Sequence, residues 1–164
     1  MIYLITGNGG GKTTQSLGIA LRAAGHNKKV IIIQFMKGRV TGEVKALNRL
    51  KPYVVLKQFG RKGFVNLKKP SKADKRLAVM ALDFALQSLK EKPFMIVLDE
   101  ACLAAAIGLI SVDELLALLK KAGKTHIIMT GRRAPKELKD AADIVSESTD
   151  LKRNLMPSRK GIEY

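Results

Sequence analysis

The sequence predicts an α/β fold, a mostly parallel sheet with helices on both faces, and three observations carry that expectation. Short apolar, β-branched runs alternate with segments of helical periodicity along the whole chain. The runs are apolar on both faces, as strands covered on both sides by helices must be. The first run ends in a cluster of glycines that opens directly into a helical pattern at Lys12-Thr13-Thr14.

Taken in order, Ile2–Ile5 is the first strand and Thr13–Ala24 the first helix, with Gly25 placed where a helix-ending glycine belongs. Val30–Phe35 is a strand, Gly42–Leu50 a helix and Tyr53–Leu56 a strand. An irregular segment, Gly60–Ser71, precedes a long helix over Lys72–Lys90. Phe94–Leu98 is the next strand and Val112–Lys121 the next helix. Ser111 and Glu114 form its capping box and Gly123 its expected stop. Thr125–Met129, a helix over Pro135–Ala141 and a last short strand at Ile144–Ser146 complete the pattern. The chain reads as one domain over 1–164, with irregular loop 60–71 and a tail over 149–164. Long loops in small domains are usually functional, so both are candidates to close over a substrate.

Strand, glycine loop, Lys-Thr and helix together describe a phosphate-binding loop and hence a P-loop, RecA-like architecture. Gly7, Asn8, Gly9, Gly10, Gly11, Lys12, Thr13 and Thr14 form the candidate nucleotide cradle. Glycine permits the tight backbone that aims successive N–H groups at one anion, and the helix N-terminus adds its positive end. Lys12 supplies a point charge to the terminal phosphates and Thr13 a hydroxyl to Mg²⁺. The usual spacing asks for glycine at position 6, where Thr6 stands, so the first glycine comes one residue late. A glycine turn without a ligand is the plain alternative.

Ligands in such sheets bind beyond the carboxyl ends of the strands. There the apolar run Phe94–Leu98 meets Asp99 and Glu100, the expected acidic support for Mg²⁺. Two adjacent buried acids are costly without a cation. A helix N-cap role for Asp99 is the structural alternative. Thr130-Gly131-Arg132-Arg133 ends another strand with arginines suited to phosphate or ribose, unless they serve surface ion pairs. Gln34–Lys37 ends the second strand, leading into Gly38 and Thr41-Gly42-Glu43. Arg22 lies ten residues after Lys12, too far along the helix to reach the phosphates directly.

Composition narrows the class further. No apolar run is long enough to span a membrane, and Met1 leads straight into the first strand without a secretory pattern. The single cysteine, Cys102, excludes an internal disulfide and fits a reducing cytoplasm; its apolar setting reads as a buried, inert thiol. His26 and His126 lack further ligands at metal spacing, and no nucleophile motif occurs. Net charge is +16, with eight basic residues and one acid between Lys57 and Arg76. Nucleic acid, an acidic protein and polyphosphate all fit that charge, as does a merely solvated loop. Few aromatics interleave with it (Phe59 and Phe64), which argues against single-strand nucleic acid.

These residues resemble the P-loop type of ATP:corrinoid adenosyltransferase over nearly the whole chain. The resemblance is carried by Thr6-Gly-Asn-Gly-Gly-Gly-Lys-Thr-Thr14, which is similar to that family's shortened loop, then by Gly18 and Leu21–His26. It continues through Gln34-Phe35 with Lys37-Gly38, Val97–Glu100, Thr130–Arg132 with Ala134-Pro135, and Ala142-Asp143 with Val145–Glu147. It closes on Gly161-Ile-Glu-Tyr164. The resemblance implies that Co(I) of a corrinoid attacks the ribose C5′ of ATP and expels triphosphate, so that positioning and electrostatics dominate. It implies ATP and Mg²⁺ as ligands, Lys12, Glu100 and Phe64 in the catalytic site, and Asn8, Arg22 and Arg132 in the nucleotide site. It also implies a homodimer. The basic surface over Lys57–Arg76 suits an acidic flavodoxin-like electron donor, no membrane partner is expected, and nucleic acid is the less favoured partner. Two positions depart from the pattern: Gly10 where many members have Lys, and Asn66 where the family has Trp after Gly63-Phe64. Phe64 is then either a wedge against the corrin or an anchor in the protein's own core. The rival functions are a P-loop kinase or ATPase on another substrate and a basic, nucleotide-gated nucleic-acid-binding protein.

Overall fold

The computed structural model describes residues 1–154 and 157–162. Six parallel strands make one sheet: β1 (Ile2–Thr6), β2 (Val30–Phe35), β3 (Val54–Phe59), β4 (Met95–Asp99), β5 (His126–Thr130) and β6 (Ile144–Glu147). Their order is β3-β2-β4-β5-β1-β6. The helices are α1 (Lys12–Gly25), α2 (Gly42–Leu47, continued by a 3₁₀ turn at Asn48–Leu50), α3 (Lys72–Leu89), α4 (Ala101–Ala106), α5 (Val112–Lys121) and α6 (Lys136–Asp140).

Strand periodicity divides the core in two. Ile5, Val30, Ile32, Val54, Met95, Val97 and Ile128 face α1, whose Leu17, Ala20, Ala23 and Ala24 pack on them together with Leu47. Their neighbours Leu4, Ile31, Ile33, Phe35, Ile96, Leu98, Ile127 and Met129 face the opposite layer. There Ala78, Ala81, Leu82 and Ala85 of α3 pack with α4, Leu115 and Leu118 of α5, and Leu138 of α6. Small residues on α1 and α3 let both helices lie close to a sheet of bulky branched side chains. Cys102 is fully buried in this second layer, and burial pushes its thiol up to about 12, so it is the inert thiol expected.

The structure departs from the sequence reading at four places. Helix α4 is an addition: it follows β4 with only Glu100 between them, in the left-handed conformation (φ 64°), so no turn signal marks its start. Gly25 does not end α1 by a left-handed turn; it is the last helical residue, and Asn27 takes the positive φ (56°). Strand β3 begins one residue later than expected and runs three further, to Phe59. The Ser71–Asp74 pair forms a second capping box, at the start of α3, beside the expected one at Ser111–Glu114. Gly123 (φ 56°) does end α5.

Because every strand points the same way, all carboxyl ends share one edge of the sheet. Strand β5 separates β1 from β4. The glycine loop after β1 and the acidic pair after β4 therefore face each other across the end of β5.

Candidate functional site

The glycine loop leaves β1 at Gly7 (φ 95°), where a side chain would run into the backbone of Ser148. Thr6 remains in the sheet, opposite Glu147 of β6, and its carbonyl accepts from the Ser148 amide at 2.8 Å. The late first glycine thus has a packing cause: the turn begins after the residue that pairs with β6. The same segment engages the loop amides. Gly9 N–H donates to the Ser148 carbonyl (2.8 Å) and Gly10 N–H to an Asp150 carboxylate oxygen (2.9 Å). An anionic group therefore already sits on a glycine amide. Gly11 (φ 85°) completes the turn into α1. Lys12 is buried, its ammonium donating to the Gly9 carbonyl. Its pKa lies below the ordinary lysine value, through burial first and the nearby Arg132 second.

Opposite stands Asp99, fully buried at the end of β4. Thr130 donates to Oδ1 (2.7 Å), Thr13 to Oδ1 (2.9 Å), Gln34 to Oδ2 (3.0 Å) and the Lys37 ammonium to Oδ2 (2.7 Å). Lys37 also donates to Thr13 Oγ1 at 2.9 Å. Asp99 is thus a strand residue held by four side chains and not a helix cap. The N-cap position of α4 belongs to Glu100, whose side chain caps nothing. Glu100 N–H donates to Thr130 Oγ1 (2.9 Å), and among the described residues its buried Oε2 has no partner. Burial, and then the Asp99 charge, push its carboxyl above the usual range.

A cleft of about 540 Å³ joins these pieces. It is lined by Asn8 to Thr14 and Glu100, with Lys37, Arg132 and Arg133 as further cations and Phe64 at its rim. Phe64 is 91% exposed, with the Arg39 guanidinium 5.4 Å from its ring centroid. The core-anchor alternative for Phe64 is therefore excluded. In the basic segment Arg61 pairs with Asp74 through two hydrogen bonds (2.8 and 3.0 Å), which ties loop 60–71 to the first turn of α3. Arg22 sits exposed in the last turn of α1, outside the residues that line this cleft. A second hollow of about 650 Å³ opens between α1 and α2; it shares Thr13, Thr14 and Lys37 with the cleft, and Ile162 lines its far side. Of the terminal Gly161–Tyr164 block, Glu163 and Tyr164 lie outside the described residues.

Sequence reasoning thus brought together the loop, Thr13, Asp99, Glu100, Arg132 and Phe64. It named Thr130 and Lys37 without giving either a role, and it missed Ser148 and Asp150. The signal for Thr130 and Lys37 was their place at strand ends; for Ser148 and Asp150 there was none, because β6 is a weak edge strand.

The fold and site define a P-loop nucleotide-binding protein. A solved structure, the flagellar accessory protein FlaH from Methanocaldococcus jannaschii, shares the fold with TM-score 0.59 at 15% identity, over 89% of this chain and 69% of that one. Residues 1–164 match the family described as ATP:corrinoid adenosyltransferase BtuR/CobO/CobP, and the chain belongs to it. Corrinoid adenosyltransferase CobA of Salmonella typhimurium is 32% identical over all of this chain and 85% of its own length. The corrinoid adenosyltransferase of Pseudomonas aeruginosa is 31% identical, over all of this chain and 83% of its own length.

Proposed function

We infer that this protein transfers the 5′-deoxyadenosyl group of ATP to the cobalt of a reduced Co(I) corrinoid and releases triphosphate, in adenosylcobalamin synthesis or corrinoid salvage. The observation that carries the reading is the family match over the full chain, joined to a cleft that gathers the glycine loop with Lys12, Lys37 and Arg132. Cobalt gives its electron pair to C5′, and the C5′–O bond breaks with its electrons leaving on the triphosphate. The protein's part is to hold the leaving group and expose C5′. Lys12, Arg132 and the amides of Gly11–Thr14, beyond the Gly9 and Gly10 amides that Ser148 and Asp150 engage, serve the triphosphate, where preorganised donors lower the cost of developing charge. Asn8 and Arg22 serve the nucleoside by family resemblance. Phe64 offers an exposed apolar face to the corrin.

Mg²⁺ fits the residues present. Thr13 Oγ1 and Asp99 are 2.9 Å apart, and the buried Oε2 of the next residue, Glu100, is an orphaned acceptor among the described residues. Among the described residues no three His, Cys, Asp or Glu converge, which suits an ion held largely by phosphate and a hydroxyl. When bound, the ion neutralises charge on the triphosphate. The same reading includes one nucleotide-binding domain over 1–164, a homodimer, a cytoplasmic setting and an acidic flavodoxin-like donor meeting Lys57–Arg76. Among the described residues no helix is long and apolar enough to cross a membrane.

The product decides the function. Anaerobic incubation with ATP and a chemically reduced corrinoid is expected to yield adenosylcorrinoid and triphosphate in equal amounts. ADP as the product would replace this reading with a kinase or ATPase.

A further inference from the structure

Lys37 enters no part of the reaction just described, yet its ammonium is ion-paired with the buried Asp99 at the heart of the site. Its ammonium lies 2.7 Å from Asp99 Oδ2 and 2.9 Å from Thr13 Oγ1, the two groups assigned to the divalent ion. Asp99 is fully buried, Glu100 follows it directly, and its other three donors, Thr13, Gln34 and Thr130, carry no charge. Lys37 supplies that missing positive charge from the end of β2, across the sheet from the loop.

We propose that Lys37 is the resident counter-ion of the metal site, exchanged when metal and nucleotide arrive together. A divalent ion on Thr13 and Asp99 cannot share those oxygens with an ammonium at hydrogen-bond distance, because two cations would then stand within a few ångströms in a dry setting. Metal alone must evict Lys37 while the neighbouring acid, Glu100, is itself taken up by the metal. Metal with a triphosphate provides an anion to receive it, and Lys37 already lines the cleft where the triphosphate lies. Its flexible four-carbon stem carries a point charge that can change partners without rebuilding the backbone. Lys37 therefore makes metal binding contingent on nucleotide, and in the loaded site it becomes a further triphosphate ligand, in addition to Lys12. The proposal rests on the reading of Thr13 and Asp99 as metal support.

The test is Mn²⁺ binding followed by electron paramagnetic resonance, with and without ATP and with no corrinoid present. Wild type is expected to bind Mn²⁺ weakly alone and strongly with ATP. Lys37→Met is expected to bind Mn²⁺ alone at least about tenfold more tightly than wild type, and to narrow the difference that ATP makes. Lys37→Arg, which keeps the charge, is expected to restore weak binding. Asp99→Asn in the Lys37→Met background is expected to abolish the gain. An ATP-dependent signal that is normal in wild type, with unchanged Mn²⁺ affinity in Lys37→Met, overturns the Lys37 proposal and leaves the metal site standing. A wild-type signal with ATP that survives Asp99→Asn overturns both. Should Lys37→Met fail to fold, ¹⁵N-lysine-labelled wild type gives the same answer. The Lys37 ammonium resonance must move when Mg²⁺ and triphosphate are added together and stay in place with Mg²⁺ alone. A resonance unmoved by the pair overturns the proposal.

Discussion

At the scale of single residues, the site divides into groups that the fold has immobilised and groups it has left free. Asp99 and Thr130 are fully buried and mutually bonded, and Thr13 is tied to them. Glu100 is adjacent but, among the described residues, unpaired at Oε2, with its carboxyl raised by burial and by Asp99. A raised carboxyl means that its ionised form is disfavoured by folding. A cation arriving beside it removes that penalty, as a metal site requires. Phe64 is the opposite case. With 91% of its surface exposed it has little beyond the Arg39 contact to lose, and truncation leaves no cavity. Phe64→Ala is expected to shift stability by less than about 0.5 kcal/mol, as surface substitutions do, and to leave ATP affinity unchanged. Adenosylation of a protein-reduced corrinoid is expected to drop. A thermal melt, an ATP titration and a turnover assay check this; wild-type turnover removes Phe64 from the corrin site.

Among the elements, α3 shows how one residue couples a loop to a helix. Asp74 is the N3 partner of Ser71 in the capping box and also accepts both hydrogen bonds from Arg61. The Arg61 hydrogen bonds are the main cause that holds the Asp74 carboxyl down at about 2, against an ordinary 3.8. A folded value below the unfolded one means stabilisation that is complete above pH 3.8 and lost as pH falls toward about 2. Asp74→Asn is expected to destabilise the protein near neutrality by roughly 1 kcal/mol, the scale of a lost cap. The gap to wild type is expected to close across that acid window. Denaturant titrations of both proteins between pH 7 and pH 2 check it, and a gap of constant size refutes the account. Loosening this tie also frees loop 60–71, which carries Phe64.

For the whole molecule the dominant quantity is the +16 charge, much of it between Lys57 and Arg76. That segment runs from β3, at the edge of the sheet, into α3, and its Phe64, Val65 and Leu67 line the cleft, so an acidic donor drawn to it arrives beside the cleft. Steering of this kind acts over about 8 Å at physiological ionic strength. Cobalt reduction by an acidic flavodoxin-like donor is therefore expected to slow steeply between low and physiological salt, while adenosylation from chemically reduced corrinoid stays nearly constant. Stopped-flow reduction over a salt series checks this. A rate independent of salt assigns the charge another use.

Local pattern by itself determined the alternation of strands and helices, the parallel sheet and the loop that opens α1. Each of these follows from periodicity, glycine placement and Lys-Thr within a few consecutive residues. It also placed Asp99, Glu100 and Arg132 at the binding edge, because parallel strands share their carboxyl ends. Tertiary structure alone decided the rest. Helix α4 was invisible because Met95–Ala106 is one almost unbroken apolar run, and the change from strand to helix rests on the single left-handed residue Glu100. The bond between Gly10 and Asp150 spans 140 positions, and Lys37 and Asp99 meet across 62. No window of sequence contains both partners of such a contact. Pairing them required β2 to lie against β4 and the β6 segment to lie against the glycine loop, and that arrangement comes from burying both faces of the sheet at once.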